Sequence, residues 1–199
     1  MEITAAVVKQ LRERTGVGMM ECKSALIESS GDVAEAEKIL RKRGVAAAAK
    51  KAGRATGEGA VAAYIHTGGK IGVLVELNCE TDFAARSADF QSLVHDIAMH
   101  VAAAAPRFVR REDVLESVLA EEREIAKDQA AKSGKPAQVL DKIVAGKLEK
   151  FYSEVCLLEQ PFVKDPDKTV GQLVSGAVAR IGENIQLRRF ARFVLGEDI

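Results

Sequence analysis

The sequence predicts an α+β fold, and three observations predict it. Alanine supplies 31 of the 199 residues and proline only four, a composition that favours long uninterrupted helices. Apolar residues recur at three- and four-residue spacing through most of the chain. Strict alternation, the mark of half-buried strands, is confined to residues 61–77 and 184–195.

The first 45 residues read as three short helices. Thr4 can cap the first, which shows Val8 and Leu11 on one face and stops at Gly16 and Gly18. The second runs from Met19 to Glu28, with Cys22, Ala25 and Leu26 inward, and ends near Gly31. Asp32 opens the third, with Glu35 three residues on and Ala36, Ile39 and Leu40 as its apolar face; Gly44 is expected to end it. Helices of about ten residues are marginal alone, so these three must pack on each other. They form a predicted N-terminal module, residues 1–45, followed by a linker at 46–58 and a larger domain at 59–199.

Seven basic residues and no acid lie between Lys38 and Arg54. Such a stretch can contact phosphate or an acidic partner. The plainer reading, which we prefer, is a solvated cationic helix end and a tether.

A hairpin follows. Val61, Ala63 and Ile65 alternate, as do Ile71, Val73, Val75 and Leu77. A two-residue turn at Gly68-Gly69 would pair His66 with Ile71 and send the two apolar rows to opposite faces. A three-residue loop, Thr67-Gly68-Gly69, pairs Ile65 with Ile71 and unites them. Register follows burial, so the second is expected, with Gly69 left-handed.

A long helix is predicted from the mid-80s to Ala105, carrying Phe90, Leu93, Val94, Ile97 and Val101; Pro106 ends it. Residues 114–152 read as a protruding helical hairpin joined at Ser133-Gly134-Lys135-Pro136. Thr169 and Gln172 have capping-box spacing before a helix that Gly182 stops. Asn184 to Leu195 then alternates as the third strand of an antiparallel sheet packed on helices, with Ile185, Leu187, Phe193 and Leu195 on one parity.

Several function classes are disfavoured. Lysine plus arginine and aspartate plus glutamate each number 29, so the net charge is zero, which argues against a protein that coats nucleic acid. No apolar run approaches the ~20 residues that span a bilayer. The opening Met1-Glu2-Ile3-Thr4 lacks a basic segment leading into an apolar one, so no signal peptide is expected. Three cysteines, at 22, 79 and 156, form no CxxC pair and suit a reducing cytoplasm. No phosphate-binding GxxxxGK loop occurs. His95 and His100 lie roughly 140° apart around one helix, a poor metal pair. No cofactor or metal is expected. Cys79 and His66 sit near adjacent strands, but without an orienting group a nucleophilic pair is the weaker reading against a buried structural cysteine.

Two features remain. Met19 and Met20 are adjacent on a helix, so one of them should face solvent; adaptable methionines suit partner surfaces, and a core Met beside a stray surface Met fits the spacing equally well. Asn78-Cys79-Glu80-Thr81-Asp82-Phe83-Ala84-Ala85 lies where a strand ends and a helix begins. Thr81 or Asp82 can cap that helix. Phe83 precedes Phe90 by seven residues, and periodicity alone favours a core position for both. The alternative is an exposed aromatic held on a rigid corner for a partner.

The residues resemble one known family. LRERTGVGMMECKSAL and GDVAEAEKILRKRG are similar to the N-terminal, UBA-like module of elongation factor Ts, and NCETDFAAR to that family's central signature. HDIAMHVAAAAPRFV, SGKPAQ, EQPFVKD and IGENIQLRRFARF resemble its C-terminal half, in order to the chain's end. The chain resembles the short form of the family, in which an extra half-domain is missing; Ala84 stands where Val is usual. The resemblance implies a guanine-nucleotide exchange factor, not an enzyme, acting in the cytoplasm. Its partner would be GDP-bound elongation factor Tu, with no membrane and no direct nucleic-acid contact. It implies that Asp82 and Phe83 reach into the partner's nucleotide-binding domain and disturb its Mg²⁺ ion, within a motif that includes Thr81 and Ala84. It further implies contacts from Arg12, Met19, Met20 and His100, and a homodimer that engages two partner molecules. It favours exposure of Phe83. The rival reading is a nucleic-acid-binding module built on residues 38–54.

Overall fold

The computed structural model describes residues 3–132 and 137–197. It is an α+β chain: α1 (Ala5–Thr15), α2 (Met19–Glu28), α3 (Val33–Lys51), β1 (Glu58–Ile65), β2 (Ile71–Cys79), α4 (Asp82–Arg86) and α5 (Ala88–Ala104) come first. There follow α6 (Glu116–Ala131), α7 (Ala137–Val155), β3 (Pro161–Phe162), β4 (Asp165–Thr169), α8 (Val170–Ile181) and β5 (Ile185–Val194). The main sheet is antiparallel with strand order β1-β2-β5.

Two compact units share the chain. The first comprises Met1–Ala62, Val75–Asp96 and Gln172–Arg188. Its three N-terminal helices close around Val8, Leu11, Cys22, Ala25, Leu26, Ala36 and Leu40. The caps are those the sequence predicts: Thr4 accepts from the Val7 amide at 3.4 Å, and Asp32 from the Glu35 amide at 3.0 Å. Gly16, at φ 68°, takes the left-handed cap of α1. In the same unit Val75, Leu77 and Cys79 of β2 are buried, as are Phe90, Leu93 and Val94 of α5, Val174, Ala177 and Val178 of α8, and Ile185 and Leu187 of β5.

Gly44 does not end α3. The helix continues to Lys51 because Ala46–Ala49 are the strongest helix formers available and outweigh one glycine. Gly44 is buried, and a Cβ there would meet Ala179 of α8 at an ordinary 3.6 Å. The chain turns instead after Ala52, and Arg54 donates its amide to the Lys51 carbonyl.

Gly59 is the residue of β1 that only glycine can fill. Its φ is +149°, and a Cβ would lie 2.2 Å from the Leu77 carbonyl oxygen and 2.7 Å from the Asn78 Cα. Gly59→Ala should therefore cost roughly 2 kcal/mol or more. Urea unfolding checks this, as a lower midpoint with an unchanged slope.

The second unit comprises Ala63–Leu74, Ile97–Gly171 and Arg189–Ile199. Helices α6 and α7 pack side by side as the predicted hairpin, burying Leu119, Ala126 and Ala130. Their predicted joint at residues 133–136 lies outside the described residues. Arg111 secures the neighbouring segment. It pairs with both oxygens of Glu149 at 2.8 and 2.6 Å and with Glu159, and it stacks 4.5 Å over the Tyr152 ring. Strands β3 and β4, a short antiparallel pair, carry no alternating pattern long enough to read from sequence.

The β1–β2 register is the one the sequence reading set aside. The His66 amide donates to the Ile71 carbonyl at 2.9 Å, so His66 rather than Ile65 sits across from Ile71. Gly69 is left-handed as expected (φ 68°), and so is Gly68 (φ 93°). The two apolar rows therefore face opposite ways: Val73 is buried, while Ile65 is 65% exposed. The expected register holds only if both rows are buried within one chain. An edge strand escapes that requirement. Likewise Phe193 and Leu195, on the parity of buried Ile185 and Leu187, are exposed.

Candidate functional site

The corner at residues 80–87 is built from the backbone outward. Strand β2 ends at Cys79, and Thr81, in extended conformation (φ −131°, ψ 156°), is the N-cap of α4. Its hydroxyl oxygen accepts from the Ala84 amide at 3.2 Å, the standard cap bond. The same hydroxyl donates to Glu183 Oε1 at 2.7 Å, and the Thr81 amide donates to Glu183 Oε2 at 3.0 Å. Ala84 and Ala85 are buried and hold the helix down.

Helix α4 is only five residues long. The predicted continuous helix breaks at Ser87, whose ψ of 147° is extended. The Ser87 hydroxyl donates to the Ala84 carbonyl at 2.7 Å and accepts from the Phe90 amide at 3.3 Å, so one side chain finishes α4 and starts α5. Gln91 Nε2 donates to the Ala85 carbonyl at 2.7 Å and satisfies a second helix-end acceptor. The break removes the seven-residue phase relation. Phe90 is fully buried, and Phe83 is 81% exposed. Asp82 carries its charge at the N-terminal end of α4 and pairs with Arg86 at 2.9 Å. Such an exposed i,i+4 pair is worth only about 0.3–0.5 kcal/mol, so Asp82 is readily released to another partner.

The end of α3 is tied to the same corner. Glu80 accepts the Asn184 amide at 2.6 Å and the Arg54 guanidinium at 3.4 Å. The Asn184 side-chain amide donates to the carbonyls of Ala52 and Arg54 at 3.3 and 2.8 Å. Arg12, Met19 and Met20 lie in the same unit, all three exposed on α1 and α2. Both methionines face solvent, so neither is core.

His100 belongs to the second unit and is fully buried. Its Nδ1 accepts from the Val163 amide at 3.3 Å, which leaves the proton on Nε2 to donate to Gln160 Oε1 at 3.0 Å. Gln160 is itself held by the Glu154 carbonyl at 2.6 Å. Burial lowers the His100 pKa from 6.5, against a smaller opposing effect of the Gln160 bond. The folded chain thus keeps this ring neutral where the unfolded chain would protonate it. Its contribution to stability is complete above pH 6.5 and declines as pH falls below that value. The expected outcome is a thermal midpoint that drops between pH 7.5 and 5.5, with a shallower drop in His100→Gln.

The cysteines offer no nucleophile. Cys79 is buried and donates its thiol to the Thr81 carbonyl at 3.1 Å; burial, aided by the Glu183 charge, raises its pKa. Burial pushes the Cys156 thiol up to about 11. His66 is bonded to the Tyr64 hydroxyl at 3.1 Å. Among the described residues no group of three potential ligands could hold a metal ion, and no helix is long and apolar enough to cross a membrane.

Sequence reasoning missed Glu183, Glu80 and Ser87. Ser87 had a signal, a capping residue with Asp89 two positions later. Glu183 had none, since the bond to Thr81 joins residues 102 apart in sequence.

Comparison with known proteins covers the chain as a whole. A family model described as elongation factor TS matches residues 2–197. Elongation factor Ts of Solibacter usitatus is 61% identical over 196 residues, which cover 98% of this chain and 92% of that one. The namesake from Anaeromyxobacter dehalogenans is 64% identical over 198 residues (100% and 90%). That of Geobacter sulfurreducens is 59% identical over 199 residues (100% and 92%). The rival nucleic-acid reading of residues 38–54 gains no support from these matches. In the structure Lys38 pairs with Glu35, and Arg43 with Glu28. With a match that spans nearly all its residues and relatives of similar length, the chain belongs to the elongation factor Ts family.

Proposed function

We propose that this chain is a guanine-nucleotide exchange factor for elongation factor Tu. It binds the GDP-bound form, displaces the partner's Mg²⁺ and promotes GDP release so that GTP can enter. The observation that carries this reading is the Phe83 ring, 81% exposed on a helix pinned at both ends. An aromatic side chain on a rigidly held backbone can anchor a partner at a low ordering cost. Asp82 and Phe83 touch the partner; Thr81 and Ala84 hold them in place. Arg12, Met19 and Met20 of the module at residues 1–45 make a second contact, and residues 46–58 lead from it to the domain at 59–199. Fully buried His100 supports a contact region through the Gln160–Val163 segment.

The mechanism is linkage between two bound species. Mg²⁺ neutralises phosphate charge, so an exchange factor that disturbs it weakens GDP. Coupling is reciprocal: GDP must weaken the exchange factor by the same factor. Nothing covalent is required of the chain, which acts by binding and needs no cofactor. The place of action is the cytoplasm. Stimulated release of GDP from elongation factor Tu tests the reading, and an unchanged release rate would sink it.

We also propose a homodimer that binds two partner molecules. The exposed Ile65, Leu74 and Phe193 support this. The Ile65 Cδ1 lies over Gly72, 3.2 Å from where a Cβ would stand, and Gly72 shares a strand face with Leu74. The Leu195 amide bonds the Lys70 carbonyl at 2.9 Å, which sets Phe193 across from Gly72. A solvent-facing apolar sheet face of this kind is best covered by a second copy. Analytical ultracentrifugation should find a dimer for the native chain and a monomer for Leu74→Asp.

A further inference from the structure

We propose that Glu183 is a positioning residue for nucleotide exchange, acting on Phe83 through Thr81. The proposal rests on the reading of Phe83 as the partner-contacting wedge. Its own support is geometric. Helix α4 has five residues, too few to hold a direction by its own hydrogen bonds. What fixes its start is Thr81, and what fixes Thr81 is the Glu183 carboxylate, which accepts hydrogen bonds from its amide at 3.0 Å and from its hydroxyl at 2.7 Å.

The hydroxyl acts as a relay. By donating to Glu183 it is oriented with its lone pair towards the Ala84 amide, the bond that sets the first turn of α4. The two bonds to Glu183 use both of its carboxyl oxygens, one for the amide and one for the hydroxyl. The arrangement is also reciprocal. Glu80, the residue before Thr81, accepts the amide of Asn184, the residue after Glu183, at 2.6 Å. Gly182, at φ 85°, makes the turn that brings Glu183 and Asn184 to the corner at the start of β5. Two acids on segments far apart in sequence thus each bind the other's neighbour.

Glu183→Gln keeps the size of the side chain but replaces one acceptor oxygen with an NH₂ group. It should lower the maximal rate of stimulated GDP release roughly three- to ten-fold, from the loss of about one hydrogen bond. The half-saturating concentration should change little, because the N-terminal module's contacts are untouched. The discriminating measurement is a double-mutant cycle on release rate with Phe83→Ala, alongside the thermal midpoint of each variant. If Glu183 acts through the ring at 83, Glu183→Gln costs nothing further once that ring is gone, and Thr81→Val shows the same dependence. An equal loss in both backgrounds, or no loss in the presence of Phe83, would overturn the proposal. If Phe83→Ala itself leaves release unchanged, the wedge reading fails first and this proposal goes with it.

Discussion

Phe83→Ala should slow stimulated GDP release by roughly ten- to a hundred-fold while leaving the unfolding midpoint of the free protein unchanged. The two halves of that result have separate causes. Burying one phenylalanine supplies about 1.5–3 kcal/mol, which converts to that range of rates when the burial happens only in the complex. In the free chain the ring is 81% exposed, so its removal leaves no cavity. Release should not fall to the unstimulated rate, since Arg12, Met19 and Met20 present a second exposed surface in the same unit. Stopped-flow release of a fluorescent GDP analogue measures the first half, and calorimetry the second.

Phe90→Ala should do the reverse and cost about 3–5 kcal/mol of stability. Phe90 is fully buried, in the same unit as buried Val75, Leu77 and Val178. A loss of that size is a large share of a domain's total stability. Chemical denaturation should show it, and exchange activity should survive at temperatures where the variant is still folded. Two phenylalanines seven residues apart thus stand in opposite environments, and Ser87 divides them. Restoring helix continuity with Ser87→Ala would tend to turn Phe83 towards the face of Phe90, at the expense of the corner.

The helical part of the fold was legible because its signals are local. Thr4, Asp32 and Gly16 cap where their side chains and dihedral preferences say they should. The two main departures have different causes, one local and one non-local. The end of α3 depended on four alanines and on packing beside Ala179, so Gly44 was overridden. The expected β1–β2 register buries Ile65 with Val73, but Ile65 stays in solvent on an edge strand. The motif at 81–84 stands out in the sequence alone, yet periodicity places Phe83 in the core; only the family resemblance favours its exposure. The clamp from Glu183 could not be read at all, because no local rule links positions 81 and 183.

Acceleration of nucleotide exchange on elongation factor Tu through Phe83 is the proposal on which the other functional predictions depend. The most direct test loads elongation factor Tu with labelled GDP, adds a substoichiometric amount of the native chain or of Phe83→Ala, and follows release against excess unlabelled GDP. Catalytic acceleration by the native chain is the expected result, with a rate roughly ten-fold or more lower for the variant. A release rate that the native chain leaves unchanged would contradict the function, and equal rates for the two chains would contradict the wedge.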